Sequence, residues 1–249
     1  MGFLILKLAG PLQSWGVGSK YNWRKTAGEP TKSGVVGLMA AALGRRRTEQ
    51  IDDLANFNLA VRVDQPGLYE RDYQTAKSRK FDAKEGMWVS GNDAWVTQRF
   101  YLADAIFLAG LEVPDARVEE LVDALIHPAF PLYLGRRSCP PSQKILMESG
   151  LGPMIEKLHE VPWQATRRQL LRSNVHREKV DLPVLLDSSI SYGDVLSKQI
   201  TNDVPLSFSQ ANRLYGQRQV VRERWHVLNP YYDEQIEHHD PMELLEEGR

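Results

Sequence analysis

An α+β fold is predicted for this chain by three observations. Short apolar runs with strand character alternate with segments of helical period. Over roughly the first 150 residues they fall in the order strand, helix, strand, strand, helix, strand. No apolar run approaches the roughly 20 residues of a membrane helix. The 249 residues, 42% hydrophobic and 25% charged, suffice to bury a sizeable core beneath a polar surface. With 18 Gly and 14 Pro, collagen-like and low-complexity organisations are excluded. The single cysteine, Cys139, excludes an intrachain disulfide framework and a Cys-rich zinc site.

The first strand is Phe3 to Leu8, nearly all apolar and so buried. Gly10 to Pro30 is a polar segment broken by glycines. Pro30-Thr31 opens a helix whose apolar face is Val35, Leu38, Met39, Ala42 and Leu43. Gly34 and Gly37 lie beside that face, where something can approach the backbone, and Gly44 ends the helix. Thr48 is placed to cap a short helix through Ile51, Leu54 and Ala55. Leu59 to Val63 is the second strand and Tyr101 to Leu111 the third. Pro114-Asp115 starts a helix with Val118, Leu121, Val122 and Leu125 inward, closed by His127-Pro128. A fourth strand comes from Phe130 to Leu134 or from Lys144 to Met147. This order is the ferredoxin-like, RRM-like pattern, shared by many RNA-binding domains.

About thirty-five residues, Gln65 to Arg99, separate the second and third strands, too many for a plain loop in a compact domain. Met87 to Val89 and Ala94 to Val96 flank Ser90-Gly91-Asn92-Asp93, which reads as a hairpin turn. Residues 65–99 are therefore expected to form a projecting, thumb-like arm, basic on one side through Lys77, Arg79, Lys80 and Lys84. Trp88 and Trp95 either pack on one another or present flat faces to bases or to a partner. Residues 1–149 are read as the domain and 150–249 as a smaller C-terminal extension, with strands at Leu182 to Leu186 and Gln219 to Val227. Arg218, Arg222 and Arg224 share a face of the latter by the period of two.

The formal net charge of -1 conceals an asymmetry. Residues 1–50 carry eight Lys/Arg, among them Arg24, Arg45 and Arg46, against Glu29 and Glu49. Residues 233–247 carry seven acids and no Lys or Arg. A basic body with an acidic tail suits a polyanion, although solvated faces account for the same count.

Catalytic motifs are largely missing. There is no HExxH, CxxC or GxSxG, and residues 28–34 do not meet the GxxxxGK[ST] spacing. Thr31, Lys32 and Ser33 at a helix start either cap it or hold a phosphate. The six histidines are scattered, and His238-His239 in the acidic tail is read as solvated rather than metal-binding. No cofactor is expected. Tyr133-Leu134-Gly135-Arg136-Arg137-Ser138-Cys139-Pro140-Pro141-Ser142 joins guanidiniums for phosphate or base, an aromatic that can stack, a glycine for close approach and stiffening prolines. Lys7 interrupts the first apolar run and no cleavage site follows it, so no signal peptide is expected, nor a membrane association, and the chain is expected to be cytoplasmic.

Three stretches together resemble one family: Leu8 to Gly16 (LAGPLQSWG), Pro30 to Leu38 (PTKSGVVGL) and Tyr133 to Ser142, with Tyr101 to Phe107 agreeing. They resemble the CasD family, a subunit of the type I-E CRISPR surveillance complex (Cascade) within the RAMP superfamily. The resemblance covers most of residues 1–150. It implies a ferredoxin-like domain with a thumb between its second and third strands, and a non-catalytic subunit that holds the 5′ handle of the crRNA and caps one end of the complex. The implied partners are crRNA, the neighbouring backbone subunit, the large PAM-reading subunit and, in the assembled complex, target DNA. Matched by motif, the RNA-facing positions are Gln13, Ser14, Trp15, Thr31, Lys32, Ser33, Tyr133, Arg136, Arg137 and Ser138. Arg24, Arg45, Arg46, Lys77, Arg79 and Lys80 add basic positions, and Trp88 and Trp95 face a partner through the thumb. A type I-C relative cuts repeat RNA by metal-free acid–base chemistry, but this chain shows no adjacent His and Lys where such relatives place their pair. The alternatives are thus a metal-independent endoribonuclease and, more remotely, a DNA-contacting regulator.

Overall fold

The computed structural model describes residues 1–18, 22–167, 169 and 177–232, with the side chains of Lys80, Asn92 and Asp93 outside the described set. The acidic tail at 233–247 and His238-His239 lie outside the described residues.

β1 (Gly2–Ala9) is central, and its period of two serves two layers. Leu4, Leu6 and Leu8 face one core, while Phe3 and Ile5 face another. Burial on both sides explains why the run, Lys7 apart, is apolar rather than alternating. After β1 come short pieces of strand: β2 (Leu12–Gln13), β3 (Trp15–Gly16), β4 (Trp23–Arg24) and β5 (Thr26–Ala27). α1 (Lys32–Ala42) follows, with Thr31 as N-cap accepting from Gly34 N at 3.2 Å. Leu43 is the C-cap and Gly44, at φ +75°, turns the chain away, as its position implied. α2 (Asp52–Ala55) begins at Ile51 without a side-chain cap, so Thr48 does not cap it; burial of Ile51 and Leu54 sets this helix instead.

β6 (Asn58–Gln65) leads into the hairpin of β7 (Leu68–Asp82) and β8 (Met87–Ala103), then β9 (Ile106–Val113). A 3-10 turn over Asp115–Arg117 opens α3 (Val118–Ile126), which buries Leu121 and Leu125. β10 (Leu146–Leu151) is the fourth strand of this half, so the expected boundary at residue 149 falls inside a strand. Residues 129–130 instead lean on the end of α1, where Ala129 N and Phe130 N donate to Ala42 O and Ala41 O. α4 (Met154–Glu160), β11 (Lys179–Asp187), β12 (Ser197–Ser207) and β13 (Leu214–Leu228) complete the described elements.

The main sheet has the order β10-β1-β9-β6-β11-β13-β12, with its strands paired antiparallel. α1 and α3 cover one face and α4 the other. β11 pairs with β6 through Val184↔Arg62 to Leu186↔Ala60, so the C-terminal strands extend the sheet itself.

The β7–β8 hairpin stands on a second small sheet with β2 and β4. Its turn lies at residues 83–86, not at Ser90 to Asp93. Asp82 Oδ1 accepts from Lys84 N at 2.8 Å and Gly86 takes φ +64°, which together close the chain there. Ser90 to Asp93 is a bulge: the register passes from Lys77↔Ala94 to Arg79↔Ser90, leaving only Ser78 opposite three residues. Trp88 packs edge-on against Phe81, at 5.6 Å between ring centroids, and Trp95 lies opposite Ala76, so the two tryptophans do not pack on one another.

Candidate nucleic-acid interface

The segment 10–16 is tied down by hydrogen bonds that consume its polar side chains. Gln13 Nε2 donates to Leu8 O and Ala105 O at 2.9 and 2.8 Å, and its Oε1 accepts from Trp15 Nε1 at 3.1 Å. Ser14 Oγ donates to Phe100 O at 3.1 Å, and Trp15 N to Thr26 Oγ1 at 2.8 Å. The Trp15 ring is fully buried against Gly34, where a Cβ would come within 2.6 Å of Trp15 Cε3. Gln13 and Trp15 therefore shape the site from within, with side chains that are fully buried.

The start of α1 is equally occupied. Asp203 Oδ2 accepts from Lys32 N at 2.8 Å, in the place a bound anion would take. Lys32 is buried, with Nζ 3.2 Å from Asp187. Arg218 closes the cluster, reaching Asp203 at 2.7 and 2.9 Å and Asp187 at 2.7 Å. The phosphate reading of Thr31 and Lys32 is thus corrected: the protein's own carboxylate caps the helix, and Thr31 Oγ1 takes Gly34 N.

Beside this helix start opens a cleft of about 760 Å³. Ser14 and Trp15 form part of its floor, and Ser33 and the flank of α1 one side. Seven arginines line it: Arg24, Arg45, Arg46, Arg47, Arg136, Arg137 and Arg213. Among the described residues that line it, none is Asp, Glu, His or Lys. Arg45 is held by Asp53 outside the cleft, and its hydrogen bonds, with those of Arg117, keep the Asp53 carboxyl well below the usual range against its partial burial. Arg46 and Arg137 are exposed.

The Tyr133–Ser142 loop builds another wall. Gly135, at φ +88°, lies against the Ser14 carbonyl, a place closed to any Cβ. Arg136 stacks over Tyr101 at 5.0 Å and donates through Nη2 to Arg24 O at 2.7 Å. Its Nη1 is shielded from solvent and has no hydrogen-bond partner among the described residues, an unspent donor at the site. Ser138 turns toward Tyr101 Oη at 3.4 Å, outside the cleft lining. Cys139 is fully buried, and that burial raises its thiol pKa against the opposing hydrogen bond with Ser138.

The structure therefore brings together, from the expected positions, Ser14, Trp15, Arg24, Thr31, Ser33, Arg45, Arg46, Tyr133, Arg136 and Arg137, and leaves Gln13, Lys32 and Ser138 outside the lining. Lys77 and Arg79 are exposed on β7, away from the cleft lining; Lys80 lies on the same strand. Sequence reasoning missed Arg47, Phe130, Phe208, Arg213 and Tyr215, which line the cleft as well. Arg47 was legible in the Arg45-Arg46-Arg47 run, and Gly37 signalled that a group approaches without saying which.

The molecule thus presents an antiparallel sheet covered by helices, with an arginine cleft at one helix start whose described lining holds no acid. The chain belongs to the family described as CRISPR-associated protein (Cas_Cas5), which it matches over residues 3–221. It is 35% identical over 159 residues to the CRISPR system Cascade subunit CasD of Escherichia coli (strain K12), covering 58% of this chain and 70% of that protein. In structure it resembles a chain of a CRISPR RNA-guided surveillance complex, with TM-score 0.75 and 31% identity over 94% of this chain and 96% of that one. It also resembles a crystallised Cas protein, with TM-score 0.64 and 35% identity over 90% and 95% of the two chains. Among the described residues no helix is long and apolar enough to cross a membrane, and no group of three His, Cys, Asp or Glu could hold a metal ion.

Proposed function

We propose that this chain is a non-catalytic, cytoplasmic RNA-binding subunit of a type I-E CRISPR surveillance complex, which holds the 5′ handle of the crRNA and caps one end of the assembly. The observation that carries the reading is the cleft lined by seven arginines and no described acid. Such a surface favours a polyanion and offers planar groups for unstacked bases. The strand order β10-β1-β9-β6, with α1 and α3 as the two connecting helices, supports a ferredoxin-like core. The β7–β8 hairpin is read as the thumb, which reaches the neighbouring backbone subunit through Trp88 and Trp95. The large PAM-reading subunit meets the handle end, and target DNA is contacted only in the assembled complex. The cleft's described lining lacks His, Lys, Asp and Glu, which supports holding RNA rather than cutting it.

With about five phosphates neutralised, the logarithm of affinity for repeat-derived single-stranded RNA falls against that of salt with a slope of about -3.5. Replacing Arg136 and Arg137 with Ala makes the slope shallower by about 1.4. An unchanged slope and affinity would remove both from the site. Incubation of the wild-type chain with repeat RNA and a chelator is expected to leave the RNA intact. A 2′,3′-cyclic phosphate product would replace this reading with the endoribonuclease.

A further inference from the structure

The C-terminal hairpin supplies a wall of this cleft that nothing in the first 150 residues provides. The chain leaves β12 at Ser207 and re-enters β13 at Leu214. Between them, Phe208 lays its ring on Gly37 of α1, where a Cβ would stand 3.5 Å from Phe208 Cζ. A Cβ there would make only ordinary van der Waals contact, so the ring packs directly over the helix backbone at this point. The Arg218–Asp203–Lys32–Asp187 cluster fixes the same two elements a few residues further along, with Asp203 on β12 capping α1 directly. The hairpin and the helix start are thereby held as one unit. Beyond the anchor, Arg213 and Tyr215 reach the cleft, both exposed.

Three accessible aromatics line the cleft, Phe130, Tyr133 and Tyr215, and of these Tyr215 alone comes from the C-terminal half. Trp15 is fully buried, and Tyr101, 5% exposed, is covered by the Arg136 guanidinium. Phe208 is spent on Gly37. Tyr215, 43% exposed near the start of β13, has a ring available with a cation two residues away. An aromatic face beside a guanidinium is the arrangement that stacks an unpaired base while its phosphate is neutralised. We infer that the β12–β13 hairpin is a base-stacking subsite for single-stranded RNA, in which Tyr215 receives one base and Arg213 a neighbouring phosphate. The inference rests on the RNA-holding reading of the cleft and adds to it a subsite from the C-terminal half.

The test measures anisotropy of two 5′-labelled probes of equal length, oligo(A) and a base-free ribose-phosphate chain, against the full chain and three variants. Tyr215→Ala is expected to weaken oligo(A) binding about ten-fold and to leave the base-free probe unchanged. Tyr215→Phe, which keeps the ring, retains binding. Arg213→Ala weakens both probes alike and makes the salt slope shallower by about 0.7. Both side chains are exposed, so urea midpoints are expected to match the wild type. Equal loss on both probes with Tyr215→Ala, or no loss on either, overturns the stacking subsite. The two readings fail differently. If the wild type binds neither probe nor repeat RNA, the RNA reading of the whole cleft falls and this subsite with it. If the Arg136/Arg137 double variant weakens binding while the Tyr215 and Arg213 variants do not, only the hairpin subsite falls.

Discussion

Arg62 and the cleft arginines are chemically the same group in opposite circumstances. Arg62 is fully buried on β6, and its five N–H donors are all used. Two go to Asp64 at 2.8 and 2.9 Å, and three to the carbonyls of Leu158, Val161 and Pro162 at 2.7, 2.7 and 3.1 Å. Those carbonyls belong to the last turn of α4 and the residues after it, where a cation is favoured. Arg46, Arg47, Arg137 and Arg213 line the cleft with no ion pair among the described residues. One set is spent on folding and the other kept for a ligand. The difference shows that cation count alone does not locate a polyanion site; what matters is where the protein has withheld carboxylates.

The largest expected effect tests the folding half of that contrast. Arg62→Ala leaves the Asp64 carboxylate buried without its cation, at a cost of about 3–5 kcal/mol. Replacing both with apolar residues of similar size recovers most of the loss, because the stranded charge is gone. Arg137→Ala, by contrast, changes stability by no more than about 0.5 kcal/mol. Urea denaturation of the four proteins checks this, and similar losses for Arg62→Ala and Arg137→Ala would erase the distinction.

An intermediate effect comes from a buried anion on the same face as Arg62. Glu223 is fully buried and accepts from Ser191 Oγ at 2.7 Å and from Tyr192 N, Gly193 N and Trp225 Nε1, each at 3.0 Å. Burial pushes this carboxyl up, but the donors from Trp225, Ser191, Gly193 and Tyr192 outweigh it and hold its pKa below the ordinary value. The group thus stabilises the fold fully above the unfolded carboxylate pKa, and that share is lost as pH falls through the lower, folded one. Glu223→Gln is expected to cost about 1–3 kcal/mol near neutral pH through mismatched donors. It also flattens the acid limb of stability against pH. Urea midpoints from neutral to acid pH measure both, and an unchanged acid limb would remove Glu223 from the pH dependence.

Much of the first half was legible because its signals are local. The period of α1, its Thr31 cap and Gly44 stop, and the apolar runs of β1, β6 and β9 each depend on residues close in sequence. Gly34 and Gly37 showed that something approaches the helix, and Trp15 and Phe208 do. What was not legible depends on distant partners. Lys32 looks like a phosphate ligand until Asp187 and Asp203, more than 150 residues away, are folded against it. Gln13 and Trp15 belong to one of the stretches that carry the family resemblance, yet they serve a hydrogen-bonded knot. Ser90 to Asp93 has turn composition, but Asp82 and Gly86 compete better for the turn and leave it as a bulge. The C-terminal wall was missed because Phe208, Arg213 and Tyr215 follow no motif and acquire meaning only against α1.

The smallest effects are expected on the outer part of the β7–β8 hairpin, beyond Tyr101 and Leu102, a third region in which side chains neither close the core nor line the cleft. Trp88 and Trp95 are 65% and 56% exposed, and each meets its main neighbour across the hairpin rather than in the domain. Trp88 has Phe81 edge-on, a cross-strand pair worth about 0.2–1 kcal/mol, whereas Trp95 has only Ala76 opposite. A two-stranded hairpin is marginal by itself, so this one depends on its base, where β2 and β4 pair with β8 and Trp23 stacks on Phe100 at 6.1 Å. Trp95→Ser is therefore expected to leave the urea midpoint unchanged. Trp88→Ser is expected to shift it by less than about 0.5 kcal/mol equivalent while speeding amide exchange near the hairpin tip. Both variants should lower self-association, since each removes exposed apolar surface that the proposed assembly would cover. A global loss above about 2 kcal/mol from either would mean that the hairpin folds back on the domain in solution, and its tryptophans would then belong with Arg62 among the groups spent on folding.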